Sequence, residues 1–361
     1  MTPTAADVRV ALIGFGYAGR TFHAPLIAAT PGLALTVVGS HQQEAVRAAY
    51  PNAEVVPDPF AAVRHAGVDL VVVATPNDSH APLADAALRA GKHVVVDKPF
   101  TITLAEARAL AATAAEVGCL LSVFQNRRFD GDFMGVSREL AGGRVGDVVE
   151  FRSEFSRFRP VVRNRWRERP GPGSGIWYDL GPHLIDQALV LFGPPETVHA
   201  DLQAQRDGGA SVDWFHATLG YGPRRVILES SMLAADSAAR FLVRGTKGSL
   251  IKHRGDTQEA QLKAGQAPGS AGWGFDADPL LFLAGEDATP MQLLNPHGDW
   301  PRYYAQVREA VRGAGELPVT AAQATTVMAV IEAGLDAAAD RRVVCPDYTD
   351  AERSAWRPVV Q

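Results

Sequence analysis

The sequence predicts an α/β chain in two parts. Residues 1–124 read as a doubly wound parallel sheet, and residues 125–361 as an α+β domain with a large, open-faced, mostly antiparallel sheet. Three observations carry this. Short apolar runs alternate with alanine-rich stretches of helical length over the first third. A glycine-rich turn follows the first of those runs. After about residue 124 strands follow one another directly, which favours antiparallel pairing and leaves one face open to a partner.

In the first part, strands are expected at residues 8–13, 33–38, 54–56, 69–74, 93–96 and 120–124. The run at 54–56 is the weakest, whereas 69–74 and 93–96 are nearly unbroken β-branched runs, as a buried parallel strand requires. Helices are expected between them at 18–29, 42–49, 59–66, 79–90 and 104–117. His23 and Pro25 interrupt the first of these and read as structural. In the second part, strands are expected at 148–158, 197–205, 213–221, 225–232, 240–244 and 249–253, with tight turns at 220–223 and 246–248. Residues 255–298, rich in Gly, Pro and Asp, read as a long irregular excursion. Helices return at 300–313 and 321–339.

The chain has 361 residues, 47% of them hydrophobic, which is enough for two cores. Its formal net charge of -5 gives no electrostatic case for nucleic acid or a membrane surface. Cys119 and Cys345 are the two cysteines, so no disulfide framework is implied and a reducing compartment fits. Residues 1–7 lack a basic region followed by an apolar core, and no apolar run approaches membrane-spanning length. A cytoplasmic protein is expected.

The turn after the first strand is Gly14-Phe15-Gly16-Tyr17-Ala18-Gly19. Glycines there allow a tight turn, close approach to a pyrophosphate and helix–strand packing, and the following helix start offers free N–H groups. A strand before it and a helix after it make this a dinucleotide-binding Rossmann loop. NAD sites place a carboxylate after the second strand to hold the ribose hydroxyl. Here Gly39-Ser40-His41 carries none. Ser40 can donate to a 2′-phosphate and His41 can add charge, with Arg47 further on, so NADP is the expected cofactor, NAD remaining open.

The fifth strand ends in Asp97-Lys98-Pro99. Ligands of open α/β sheets bind beyond the carboxyl ends of the strands, so Lys98 is delivered to that crevice. Pro99 biases Lys98 toward an extended backbone. Thr75-Pro76-Asn77 and His80 follow the fourth strand, and Asn126, Arg127 and Arg128 follow the sixth. An arginine there could meet substrate hydroxyls or form an interdomain ion pair. In the second part, Tyr178-Asp179-Leu180-Gly181-Pro182-His183 opens an apolar helix, with Pro182 suited to its first turn. Asp179 and His183 are four residues apart and can converge there. A helix start favours a neutral imidazole able to take a proton. Asp186 reads as support for the helix or for His183. Ser156–Arg167 mixes arginines with aromatics, including Trp166, and reads as a substrate-lining or intersubunit loop. No residues have closed-site zinc spacing, so no metal is expected.

Taken together, the glycine loop, Asp97-Lys98-Pro99 and Asp179/His183 resemble the Gfo/Idh/MocA family of sugar and inositol dehydrogenases. Phe22-His23-Ala24-Pro25-Leu26, Asn126-Arg127-Arg128-Phe129, Arg165-Trp166-Arg167-Glu168 and Tyr178-Asp179-Leu180 resemble its NADP-dependent scyllo-inositol 2-dehydrogenase branch. The likeness implies a cyclitol or sugar substrate, with Lys98, Asp179 and His183 catalytic. It also implies cofactor contacts from Gly14, Gly16, Tyr17, Ala18, Gly19, Ser40, His41, Thr75, Pro76, Asn77, His80, Lys98 and Asn126. Substrate contacts fall on Lys98, Arg128, Trp166, Tyr178, Asp179 and His183, and homodimers or homotetramers form through the C-terminal sheet. The resemblance also admits an aldose or dihydrodiol substrate, glycoside cleavage with a recycled nicotinamide, or a non-enzymatic nicotinamide-binding regulator. Two departures stand out. Asp97 occupies a position where glutamate is more usual, and His41 one where some NADP-using relatives carry arginine.

Overall fold

The structure is a computed structural model that describes residues 7–236, 238–286 and 289–360. Residues 1–6, most of the segment read above for a leader, lie outside the described residues. The chain divides into two units, the first made of Met1–Asn126, Gln258–Trp273 and Asp299–Thr325, the second of Arg127–Thr257, Gly274–Gly298 and Thr326–Gln361. The single boundary expected after residue 124 is therefore joined by two later returns to the first unit.

In the first unit, six parallel strands are ordered β3-β2-β1-β4-β5-β6. They are β1 (Val8–Ile13), β2 (Leu33–Gly39), β3 (Glu54–Val56), β4 (Leu70–Val73), β5 (His93–Val96) and β6 (Leu121–Val123). The order reverses between β1 and β4, the switch point at which doubly wound sheets bind ligands. The central strands β4 and β5 are buried on both faces, which explains the unbroken Leu70–Val73 and Val94–Val96 runs. Helix ends follow local chemistry. Thr103 and Glu106 form a reciprocal cap at the start of Leu104–Val117, and Gly118 ends that helix at φ 67°. The first helix is split, as His23 and Pro25 foretold. Gly19–His23 is a wide turn, closed by the Ala24 N–H bonding Gly19 O, and Ala24–Ala29 continues as an α-helix.

The second unit holds an eight-stranded sheet ordered β14-β13-β12-β11-β7-β10-β9-β8. Its strands are β7 (Val148–Glu154), β8 (Thr197–Gln203), β9 (Trp214–Tyr221), β10 (Arg224–Ser231), β11 (Phe241–Gly245), β12 (Gly248–Lys252), β13 (Leu280–Leu283) and β14 (Met291–Leu293). All pairs are antiparallel except β7 with β10. The expected turns join β9 to β10 and β11 to β12, each closing on a directly opposed pair, Tyr221 with Arg224 and Gly245 with Gly248. One sheet face packs Phe151, Phe215, Leu228 and Phe241 into the core with Leu184, Ile185 and Leu189 of the helix Gly181–Phe192. The other face presents half-exposed Arg152, His216, Thr218, Ile227, Glu229, Leu242 and Ile251.

The irregular excursion expected over 255–298 is corrected. It contains the helix Gln258–Lys263 and the last two strands of the sheet. The surrounding Gly, Pro and Asp residues hide the four-residue apolar run Leu280–Leu283, whose strand identity comes from pairing with β12. Helix Gly131–Ala141 is a further element that the sequence reading omits. No helix of the described residues is long and apolar enough to cross a membrane.

Leu12 is fully buried in the central strand, opposite Val38 of β2 and Val72 of β4. Leu12→Ala removes contacts on both sides and should cost about 3 kcal/mol of stability. Urea unfolding of the variant checks this, and an unshifted midpoint would contradict the packing described.

Candidate active site

The first unit assembles a nucleotide cradle at the carboxyl ends of β1, β2, β4 and β5. Gly14 sits at φ 97°, its N–H bonds Gly39 O at 2.9 Å, and a Cβ there would lie 2.5 Å from Ala74 O. Gly19 is tighter still, since its Cβ would fall 2.0 Å from Gly14 O. Both glycines are demanded by the fold itself. Gly16 differs: it is exposed, and a Cβ there meets nothing within 4 Å. Its bare backbone suits the close approach of a phosphate. The cradle therefore fits a dinucleotide. Tyr17 is exposed, its ring edge-on to Phe22 and its hydroxyl 3.4 Å from Glu259 Oε1, while Ala18 precedes the wide turn.

At the end of β2, Ser40 Oγ accepts the Gln42 N–H at 3.0 Å, which leaves its own proton available to an anion, and His41 is exposed beside it. Arg47 is turned back onto Gln43 Oε1 at 3.0 Å. Thr75 and Pro76 lie at the surface beyond β4, and Asn77 is buried there. Asn126, just beyond β6, is buried too.

His80 is fully buried, with Nδ1 2.9 Å from Pro99 O and Nε2 3.0 Å from Thr75 O. Its ring ties the segment after β4 to the segment after β5.

Lys98 is half-exposed at the end of β5, and its peptide to Pro99 is cis. Asp97, buried behind it, accepts the Lys98 N–H at 2.8 Å on Oδ1. The shorter aspartate thus bonds the lysine main chain directly. His23 Nε2 stands 3.6 Å from the same oxygen, and His23 Nδ1 lies 2.6 Å from the Tyr304 hydroxyl. Burial pushes the Asp97 carboxyl up, but the interaction with His23 and the electrostatic influence of His23, Lys98 and His80 outweigh it and hold the group down at about 2. The same burial raises the Tyr304 phenol, which stays neutral. The sequence reading placed His23 as structural and missed Tyr304. The only signal for the latter was the aromatic cluster Trp300-Pro301-Arg302-Tyr303-Tyr304.

The second unit supplies the other candidates. Gly175, at φ 78°, starts the short helix Gly175–Asp179, and the Ile176 N–H bonds Val212 O at 2.7 Å. Trp177 is buried edge-on to Phe215, with Nε1 donating to Ile331 O at 3.1 Å. This anchor fixes Tyr178, buried, and Asp179, partly exposed, at the helix end. After Leu180 a second helix, Gly181–Phe192, opens with Pro182 in its first turn and His183 buried next to it. Asp179 and His183 therefore stand at the junction of two helices, where the sequence reading expected one helix start. Trp166 is half-exposed, with the Arg167 guanidinium over its ring.

Arg128 donates to both oxygens of Asp186, at 2.8 and 2.7 Å, and stacks against Trp356. Of its two expected uses the ion pair is observed, and it lies inside the second unit. Asp186 serves Arg128, while Gln187 donates to Arg127 O and accepts from Arg240.

Residues 8–125 match the family described as oxidoreductase family, NAD-binding Rossmann fold, and residues 138–345 match its C-terminal alpha/beta domain. The chain is 51% identical over 341 residues to the uncharacterised oxidoreductase YdgJ of Escherichia coli, covering 94% of this chain and 99% of that one. It is 35% identical to the scyllo-inositol 2-dehydrogenase (NADP(+)) IolW of Bacillus subtilis, over 94% of this chain and 96% of that one. Among solved structures, an oxidoreductase from Bacillus cereus superposes with a TM-score of 0.86 at 30% identity, covering 95% and 99% of the two chains.

Two predictions follow from the cradle and from Asp97. Gly16→Val should fold with an unchanged melting midpoint yet bind NADPH about tenfold or more weakly, read by nicotinamide fluorescence; unchanged affinity would show that no phosphate passes over Gly16. The Asp97 carboxyl is lower in the folded state than the ordinary 3.8, so its stabilisation is present above that value and is lost as pH falls from about 4 toward 2. That loss, on the order of 2 kcal/mol, should be absent from Asp97→Asn in denaturation at stepped pH. Parallel curves for the two proteins would remove Asp97 from this role.

Proposed function

This chain belongs to the Gfo/Idh/MocA oxidoreductase family, and from that premise we propose that it is an NADP-dependent dehydrogenase acting on a secondary alcohol of a cyclitol or sugar. The observation that carries the reading is Lys98, held at the carboxyl end of β5 next to the switch point of a nucleotide-binding sheet. The absence of a carboxylate at Ser40 and His41 supports NADP over NAD. The family relationship to a scyllo-inositol dehydrogenase supports that cyclitol as the first compound to try.

The nicotinamide, when bound, supplies the hydride acceptor. Gly14, Gly16 and Gly19 with the N–H groups that follow them hold the pyrophosphate, Ser40 and His41 the adenosine phosphate, and Asn77 and Asn126 the nicotinamide side. Lys98 donates a hydrogen bond to the alcohol oxygen and stabilises the alkoxide charge that develops on it. His183 takes the hydroxyl proton as general base, with Asp179 supporting it from the end of the preceding helix. Tyr178 and Trp166 offer an aromatic wall to the polyol ring. The open face of the eight-stranded sheet serves self-association into a dimer or tetramer.

Lys98→Ala should lower kcat by roughly 10²- to 10³-fold, with the dissociation constant for NADPH little changed. Steady-state cofactor reduction with scyllo-inositol, alongside a binding titration, measures both. Undiminished turnover would sink the assignment of Lys98, and the absence of any turnover of cyclitols and sugars by the wild type would sink the reaction class.

A further inference from the structure

The segment that follows β7 in the second unit carries six arginines between residues 157 and 169, Arg157, Arg159, Arg163, Arg165, Arg167 and Arg169, against one acidic residue, Glu168. Glu168 is already shared. It accepts from Arg165 Nε at 2.6 Å and from the Arg163 main-chain N–H at 2.9 Å, and it lies 3.1 Å from Arg206 Nη1. Arg206 is itself paired with Asp213 at 2.9 Å and donates to Arg159 O at 3.1 Å, which fixes the main chain of the segment. Arg169 is occupied by the neutral Asn164. Asp179 is the next carboxylate, and Arg167 Nε stands 3.7 Å from its Oδ1, beyond hydrogen-bond distance.

Among the described residues, Arg157, Arg159 and Arg163 have no carboxylate within ion-pair distance. Arg157 lies against the Phe155 ring, and Arg163 is exposed. Arg159 is half-buried and crowded. Burial disfavours its charge, the neighbouring Arg157, Arg163 and Arg165 disfavour it further, and Asp179 opposes them. A guanidinium half out of water among like charges is a cost to the free protein that a bound oxyanion would offset, since the planar fork matches phosphate and carboxylate in two parallel hydrogen bonds. The cluster is local: the whole chain carries -5, so a general polyanion surface does not account for it.

We propose that this segment is an oxyanion subsite beside Asp179, centred on Arg159 and Arg163, and that it takes a phosphate or carboxylate group borne by the sugar or polyol substrate. The identity of the reacting alcohol rests on the function proposed above. The subsite itself rests on the arginines alone.

The test begins with calorimetric titration of inorganic phosphate, and separately of D-gluconate, into the full chain saturated with NADP, so that the glycine loop is filled. Potassium chloride holds the ionic strength constant. One or both anions should bind saturably, and Arg159→Gln should weaken that binding about tenfold, the worth of one charge-assisted pair. Exposed Arg163→Gln provides a second reading that does not depend on a half-buried position and should weaken it in the same direction. Phosphate selective over gluconate identifies a phosphate ester as the ligand class; the reverse identifies a carboxylate. No binding beyond that of chloride, or binding indifferent to both substitutions, overturns the subsite. Cofactor reduction with neutral and anionic polyols separates the two claims. Turnover of neutral polyols without oxyanion binding leaves the dehydrogenase reading standing and removes the subsite. Oxyanion binding without turnover of either class keeps the subsite and removes the dehydrogenase reading.

Discussion

A buried carboxylate behind Lys98 is the constraint on which the nucleotide-binding unit turns. Asp97 lies buried at the end of β5, and burial alone would favour its neutral form. It stays charged because His23, Lys98 and His80 surround it and because it accepts the N–H of the residue it supports. Those partners come from separate stretches of chain. His23 arrives on the wide turn after the glycine loop and is backed by Tyr304, and His80 arrives on the helix after β4 and grips Pro99 O. The loops after β1, β4 and β5 are thereby fastened together at the place where a dinucleotide is held. Removing one partner from a buried charge set of this kind typically costs about 3–5 kcal/mol, more than a surface ion pair contributes.

The second unit solves the corresponding problem with packing more than with charge. Trp177 seats the short helix bearing Tyr178 and Asp179, and Gly334 makes room for it, since a Cβ there would lie 2.3 Å from the indole. Arg128 and Asp186 then lock the next helix with a bidentate pair that is nearly excluded from water. Rigid elements thus carry His183, while the arginine-rich segment beside Asp179 keeps charge in excess of its partners. Its like charges are held near one another by Glu168 and Arg206, so the excess is built into the folded chain.

Much of this was legible in the sequence, and for identifiable reasons. Glycine spacing reports backbone geometry, so Gly14 and Gly19 were readable from position alone, and the contacts a Cβ would make there give the physical cause. The apolar run ending in Asp97-Lys98-Pro99 was readable because a strand buried on both faces has no polar alternation to confuse it. What escaped depends on partners distant in sequence. Tyr304 lies 281 residues from His23, and Arg128 lies 58 from Asp186. His80 was readable from its place after β4, but no local pattern announces the carbonyl partners of its two ring nitrogens, Pro99 O and Thr75 O. Strand β13 escaped because its four residues are framed by loop-forming ones and gain their identity from β12.

Hydride transfer from a carbon-bound position is the central claim, and isotope tracing tests it most directly. The protein would be incubated with NADP and scyllo-inositol deuterated at every carbon, and with a carbon-deuterated anionic polyol in parallel, and the recovered cofactor examined by mass spectrometry and proton NMR. The account predicts reduced cofactor carrying one deuteron at a single face of nicotinamide C4. Reduced cofactor without deuterium, or no reduction by any deuterated polyol while NADP remains bound, would contradict it.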